Sequence, residues 1–333
     1  MIITRTPFRM SFFGGGTDYP TWYMKEGGAV LSTTINKYCY ITCRRFPPFF
    51  QNSFRIVWSH IEPVSSISEI LHPAVRNGLK MMGITDSNGL EIHHQGDLPA
   101  RSGMGSSSSF ANGLLLALYA LQGDDIEKDQ LFGKAIELEQ KWIGDDVGSQ
   151  DQVATAMGGQ NVIHFRPGGA IEVEPLTLTK KRRSEFNDRL MLFYSGASRT
   201  ASDIAGSFVN NLQDRSKQLK RMHEMVFTAR DVLEGKGDLD VFGEMLNETW
   251  QMKRQLGSKI SNNYIDDLYA RALGAGAIGG KLLGAGGAGF LAFYVRPDDQ
   301  PAVREALKEL IHVPFDLENE GSKILLNSGD ILA

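Results

Sequence analysis

The stretch Asp97–Leu116, DLPARSGMGSSSSFANGLLL, runs from a proline through a glycine-spaced turn and four serines into an apolar run of helical character. Gly103 and Gly105 let bare backbone come close, and Ser106 to Ser109 stand where a helix begins. Serines are good N-caps, and the first turn of a helix leaves its N–H groups unpaired. Those donors and the positive end of the helix dipole suit an anion. A hydroxyl there can also ligate the Mg²⁺ that accompanies nucleotide phosphates. A small-residue loop with a well-capped helix gives the same string. It is not a P-loop: the nearest candidate, ending Gly280-Lys281, has Ala275 and Leu282 where Gly and Ser/Thr are required.

With 333 residues the chain has room for two domains or one large one. A hydrophobic content of 42% and a charged content of 22% describe an ordinary globular protein. The net charge of −4 gives no electrostatic case for a nucleic-acid partner. Seven scattered histidines show no H-E-x-x-H spacing. Cys39 and Cys43 are the only cysteines, too far apart along one strand face for a disulfide, and read as small buried residues. Few cysteines and no signal-peptide pattern over Met1–Ser11 point to the cytoplasm, and Asn112 and Lys281 interrupt the longest apolar runs, so no membrane span is expected.

Outward from the serine loop, Ile2–Pro7 reads as a strand ending in a turn. Gly14-Gly15-Gly16-Thr17-Asp18 reads as a loop where backbone approaches a ligand and Asp18 accepts hydroxyls, or as a hairpin loop with an Asx turn. Gly28–Cys43 is two strands or one bent strand, with Arg55–His60 a candidate partner. Helices are expected near His72–Met82, Phe110–Leu121 and Lys128–Trp142. Glu139 on the last of these precedes a Gly/Asp-rich turn leading to Asp151. Such acids are often a solvated helix end, yet beside a phosphate loop they supply what phosphoryl transfer lacks, a metal ligand and a base. Asp145 and Asp146 compete for either role. Gln160–Val173 suggests a hairpin about Pro167-Gly168-Gly169, and Lys180–Arg183 a solvated basic hinge. Arg189–Tyr194 reads as a strand, and Ser195–Thr200 opens a long helix to about Gly235, where Arg199 suits a second anion. Gly274–Gly289 holds eight glycines, but its helix-then-strand setting is the reverse of a dinucleotide-binding loop. Phe242–Leu256, Pro301–Leu310 and Lys323–Leu326 are expected as helix, helix and strand.

Three of these stretches carry a resemblance. Pro99-x3-Gly103-Met104-Gly105-Ser106-Ser107-Ser108 resembles the phosphate-binding signature of the GHMP kinases (galactokinase, homoserine kinase, mevalonate kinase, phosphomevalonate kinase). P-x-R-x-x-F-x-G-G-x-T-D, from Pro7 to Asp18, is similar to their N-terminal motif, and Lys281–Gly289 to their third motif. Glu139-x11-Asp151-Gln152 matches galactokinase-like members in order and spacing. Gly15-Gly16 stands where galactokinases carry Glu-His, which argues against galactose. The strings FxGGGTDYP, GxxVGxQDQ and YSGxSRTAS are most similar to the D-glycero-D-manno-heptose 7-phosphate kinase branch, with fucokinase-type kinases close by.

The resemblance implies an α+β, two-domain fold: residues 1–185 like domain 2 of ribosomal protein S5, and 186–333 ferredoxin-like. It implies an ATP- and Mg²⁺-dependent kinase acting on the anomeric hydroxyl of a small sugar phosphate, with a homodimer left open. Asp151 is the implied base, with Arg9 beside it. Gly15, Gly16, Thr17 and Asp18 face the sugar, and Arg199 is assigned to its phosphate. Arg101, Gly103, Met104, Gly105, Ser106, Ser107, Ser108, Gly284, Gly286 and Gly287 surround the nucleotide phosphates. Ser107, or failing it Ser106, and Glu139 hold the metal. Two other readings stand: a GHMP kinase for a fucose- or galactose-like acceptor, and a sugar and nucleotide sensor that does not turn over.

Overall fold

The computed structural model describes residues 1–47, 49–196, 215–257, 259–284 and 286–329. Its first sheet is built on two long antiparallel strands, β1 (Ile2–Phe13) and β2 (Gly28–Arg45), joined through helix α1 (Pro20–Glu26). The expected turn at Pro7 is instead a register shift within β1, between Pro7 and Phe8. Proline is tolerated in a strand at an irregularity of this kind, because it has no N–H to give the ladder. β2 is one strand of 18 residues with three partners along its other side.

Further along the chain come β3 (Phe54–Val57), β4 (Ile61–Val64), α2 (Pro73–Met81), β5 (Leu90–Gly96) and α3 (Ser106–Gln122). Then follow α4 (Lys128–Glu137), α5 (Gln150–Met157), β6 (Gln160–Phe165) and β7 (Ile171–Pro175). β6 pairs with Gly28–Thr33 and β5 with Cys39–Arg45, so both sides of β2 are taken. β3 therefore joins the outer edge of β5, in parallel, and not β2 as the sequence suggested. The Pro167-Gly168-Gly169 hairpin forms as expected between β6 and β7. α3 is apolar all round because it lies between the sheet and α4 and α5, burying Leu114 and Leu118 on one side and Ala111 and Leu115 on the other.

α6 (Lys180–Asn187) leads to β8 (Leu190–Tyr194), and after the next described helices, α7 (Ser216–Leu233), α8 (Asp240–Gln255) and α9 (Asn263–Gly274), come β9 (Ala277–Leu282) and β10 (Phe290–Val295). α10 (Gln300–Ala306) and β11 (Ile311–His312) complete this unit. The four strands lie in the order β11-β8-β10-β9, all antiparallel, so β10 is inserted between β8 and β9. That is the split β-α-β-β-α-β arrangement of ferredoxin-like folds. The chain then returns to the first sheet: β12 (Leu317–Glu318) pairs with β2 and β13 (Lys323–Asn327) with β1. A boundary at 185/186 thus falls inside α6, and residues 317–327 add strands to the N-terminal sheet. The basic run on α6 is not a solvated hinge throughout. Arg182 donates to the carbonyls of Val232, Leu233 and Gly237 at the end of α7, and Arg183 to the Leu317 carbonyl. Only Lys180 and Lys181 of the four face solvent.

α8 is laid closely on β9. A Cβ at Gly279 would stand 2.0 Å from the Gly243 carbonyl oxygen, and one at Gly243 would stand 2.6 Å from the Tyr294 ring. Gly279→Ala is expected to cost about 1–3 kcal/mol by overpacking, read as a lower urea midpoint with an unchanged slope.

Candidate active site

The four hydroxyls of the serine loop are directed to different places, with Ser107 and Ser108 both reaching Glu139. Ser106 accepts the Arg101 N–H at 3.1 Å, Ser108 donates to Glu139 at 2.8 Å, and Ser109 donates to the Pro7 carbonyl at 2.9 Å. Ser107 stays exposed at the mouth. The expected serine cap is absent: the N-cap of α3 is Gly105, left-handed at φ 74°, and no side chain caps the helix. The first-turn N–H groups are thereby left to a ligand. Arg101 is exposed, with a left-handed φ of 58°.

The glycine loop after β9 closes on this turn backbone to backbone. A Cβ at Gly284 would lie 2.4 Å from Gly103 Cα, and one at Gly103 would lie 2.4 Å from the Leu283 oxygen. Gly286 and Gly287 are committed elsewhere: Gly287 N–H donates to Ile260 at 2.9 Å, and Asn262 donates to the Gly287 carbonyl at 2.9 Å. Of the three glycines expected beside phosphate, Gly284 is the one in contact with the serine turn.

Arg9, buried on β1, holds Asp151 with two N–H groups, Nε to Oδ1 at 2.7 Å and Nη2 to Oδ2. Its Nη1 donates to the Gly103 carbonyl at 2.6 Å, and its backbone N–H to Met104 at 3.0 Å. Asp151 sits in the first turn of α5 and is a quarter exposed. One residue before it, Gln150 donates to Asp18 Oδ2 at 3.0 Å, while Gly16 N–H donates to Oδ1 at 2.9 Å. A Cβ at Gly148 would fall 1.9 Å from Asp18 Oδ2, so the turn before α5 is shaped to admit this carboxylate. Burial, assisted by the charge of Asp151, raises the pKa of Asp18 against the pull of the Gly16 N–H. Thr17 is buried and donates to Gly14 at 2.8 Å, so its hydroxyl holds the loop. Gly15 is half-buried beside Gln150.

Glu139 does not end a regular α-helix. α4 widens into a π turn over Leu138–Ile143, a one-residue expansion often found at functional sites, and Glu139 lies buried in it. Burial pushes its carboxyl up to about 7, with hydrogen bonds from Ser108, Ser107 and Gln152 pulling the other way. Gln152 Oε1 is buried with no partner. One carboxylate, serine hydroxyls and an open helix N-terminus suit a hard cation completed by phosphate oxygens and water. Among the described residues no group of three or more His, Cys, Asp or Glu could hold an ion alone. Ser107 and Glu139 are thus the candidate metal ligands. Asp145 and Asp146 are exposed on the turn beyond. Arg199 lies outside the described residues.

The sequence reading missed two lysines. Lys253, in the last turn of α8, donates to the Gly284 carbonyl, and Lys281, buried on β9, donates to the Phe12 carbonyl at 2.8 Å. A lone charge in the run IGGKLLG was a signal for Lys281, since buried lysines are rare; Lys253 had none. Also missed was an aromatic group by the mouth of α3. His72 stacks on Phe110 at 4.5 Å, His94 meets Phe110 edge-on at 5.1 Å, and Trp58 meets His72 at 4.9 Å.

Comparison with known proteins gives the family. Residues 69–159 match the GHMP kinases N terminal domain, and residues 228–312 match the GHMP kinases C terminal model. The chain belongs to the GHMP kinases. As a GHMP kinase it is an ATP-dependent phosphotransferase. It is 28% identical over 334 residues to a D-glycero-alpha-D-manno-heptose 7-phosphate kinase of Campylobacter jejuni, covering 97% of this chain and 98% of that one. It is 27% identical to the bifunctional fucokinase/GDP-fucose pyrophosphorylase of Arabidopsis thaliana, spanning 31% of that longer protein. A crystal structure described as a D-glycero-D-manno-heptose 1-phosphate kinase from Bacteroides thetaiotaomicron superposes with a TM-score of 0.79 at 23% identity, over 99% of this chain and 100% of that one. No helix among the described residues of this GHMP kinase is long and apolar enough to cross a membrane.

Glu139 yields a stability test. Its folded carboxyl, near 7, binds a proton more tightly than an unfolded glutamate at 4.5. Without metal, its contribution to stability is greatest at acid pH and is lost as pH rises from about 4.5 through 7, a difference of a few kcal/mol. Glu139→Gln is expected to flatten that part of the pH dependence between pH 5 and 8. Mg²⁺ with nucleotide is expected to raise the melting temperature of the parent at pH 8 and to do so far less in the variant.

Proposed function

We propose that the protein transfers the terminal phosphoryl group of ATP to the anomeric hydroxyl of D-glycero-D-manno-heptose 7-phosphate, giving the 1,7-bisphosphate. The observation that carries the transfer is the Arg9 junction. One guanidinium grips both the carboxylate that faces an acceptor, Asp151, and the carbonyl of Gly103 in the phosphate turn. The choice of sugar is supported by the Campylobacter relative, matched over nearly all of both chains.

In this reading the helix N-terminus at Gly103–Ser108 holds the ATP phosphates, and Arg101 flanks them. Mg²⁺ held by Ser107 and Glu139 would neutralise phosphate charge when bound. Trp58, His72 and His94, half-buried over the buried ring of Phe110, offer aromatic surface on which the base can stack. Burial depresses His72 to about 4, so its ring stays neutral for this purpose. Asp18, positioned by Gly16 and Gln150, accepts sugar hydroxyls beside the open backbone of Gly15, and Arg199 takes the 7-phosphate. The sugar oxygen bonds to phosphorus while the bond to the bridging oxygen breaks and ADP leaves. The hydroxyl proton passes to Asp151. Arg9 keeps that carboxylate fixed toward the acceptor, which is the positioning such a loose transition state needs. The fucokinase relative favours a second acceptor class, a fucose-like sugar.

ADP release measured across heptose 7-phosphate, unphosphorylated heptose, L-fucose and galactose tests the acceptor. Turnover confined to L-fucose or galactose would sink the heptose assignment. Asp151→Asn is expected to lose about 10²–10⁴-fold in turnover while both substrates still bind, with Asp145→Asn and Asp146→Asn near the parent. A Asp151→Asn enzyme within a few-fold of the parent removes Asp151 as the base.

A further inference from the structure

We propose that Lys253 is a further catalytic residue, placed to neutralise the phosphoryl group as it passes from ATP to the acceptor hydroxyl. Three observations converge on it. The last turn of α8 carries it over the glycine loop, where its Nζ is held by the carbonyl of Gly284, the residue packed on Gly103 of the phosphate turn. It lies close enough to Asp18 and Asp151, on the acceptor side, and to Arg9 for their charges to act on it. Among the ion pairs of the described residues neither Lys253 nor Lys281 has a carboxylate partner, whereas Arg9 is paired with Asp151. Lys253 therefore borders both the donor and the acceptor halves of the site.

The charges around it leave room for an anion. Arg9 on β1 and Lys253 on α8 supply two cationic groups, while Lys281 on β9 is held well below the ordinary lysine value by burial and by those two charges and is not counted with them. Against them stand Asp151, paired with Arg9, and Asp18, which burial makes hard to ionise. A desolvated excess of positive charge is costly until an anion enters. The transferring phosphoryl group spreads negative charge over its peripheral oxygens, and preorganised donors stabilise such charge best in a water-poor site. Lys253 takes no proton and forms no bond to phosphorus. Bond breaking, bond making and the proton's destination at Asp151 remain as described above, and the inference rests on that direction of transfer.

Lys253 is depressed to about 8, chiefly by burial, then by Arg9, with Asp18 and Asp151 opposing. It is thus cationic below about pH 8 in the free enzyme and loses its charge above it. The test uses Lys253→Met and Lys253→Arg in the full chain, with each sugar that the parent accepts and with ATP hydrolysis in the absence of sugar. Lys253→Met is expected to lower kcat on the order of 10²–10³-fold for phosphorylated and unphosphorylated acceptors alike, with KM within a few-fold. The hydrolysis rate is expected to fall in parallel. Lys253→Arg is expected to recover at least part of the loss. The parent is expected to lose kcat/KM above about pH 8 and Lys253→Arg to abolish that decline, a readout that stands even if the Met variant folds poorly; a parent with no such decline counts against the proposal. An unchanged kcat overturns the proposal, as does a loss confined to KM for phosphorylated acceptors, which would move Lys253 to the substrate's own phosphate. Failure of the heptose reading alone shows differently: the parent then turns over another sugar or only hydrolyses ATP, and the Lys253 effect is read on that reaction.

Discussion

The guanidinium of Arg9 is buried where three segments meet, and its N–H groups tie the strand that carries it to the other two. Two reach Asp151 at the start of α5, and a third reaches Gly103 in the serine turn, while β1 itself carries the arginine. A buried ion pair of this kind gains little over an apolar core, but leaving either partner alone costs about 3–5 kcal/mol. The pair therefore specifies an arrangement more than it adds stability. Asp151 cannot turn away, the serine turn cannot lift, and Asp18 is kept in register through Gln150, the neighbour of Asp151.

The second unit depends on that junction through bare backbone. Gly284 rests on Gly103, and Lys253 ties the same loop back to α8. α8 in turn is fixed on β9 by Gly243 and Gly279, where side chains would force the layers apart. Close approach of backbone, and not a network of surface ion pairs, thus holds the glycine loop to the serine turn and α8 to β9.

Much of this was legible from local strings. Arg9, Asp18, Ser107 and Asp151 each stand in a short run with a glycine or serine, and it was the family resemblance, not the strings alone, that set them and Glu139 in one site. What escaped lacked a local signature. The π turn at Leu138–Ile143 adds one residue to a helical turn, and a 3.6-residue pattern continues through it almost unchanged. Lys253 belongs to QMKRQ, indistinguishable from any solvated helix end until α8 is seen beside Gly284. Arg182 and Arg183 look like surface charge because the carbonyls they cap lie 50 or more residues further on. The partner of β3 depended on both sides of β2 being occupied, which no property of β3 reveals.

The return of β12 and β13 to the first sheet makes the ferredoxin-like unit an insertion within the fold of the other. Ser328 N–H reaches the Met1 carbonyl at 3.1 Å, and the first and last described strands lie side by side. While the chain is being synthesised, β1 waits with its outer edge bare until the whole second unit has emerged. Contacts of such long sequence separation are slow to form, and an open strand edge invites pairing with other chains meanwhile. The nested order leaves β1, the strand that carries Arg9, unsealed until β13 has been made, so that a chain cut short before β13 would keep the candidate site residues on a sheet with a bare edge.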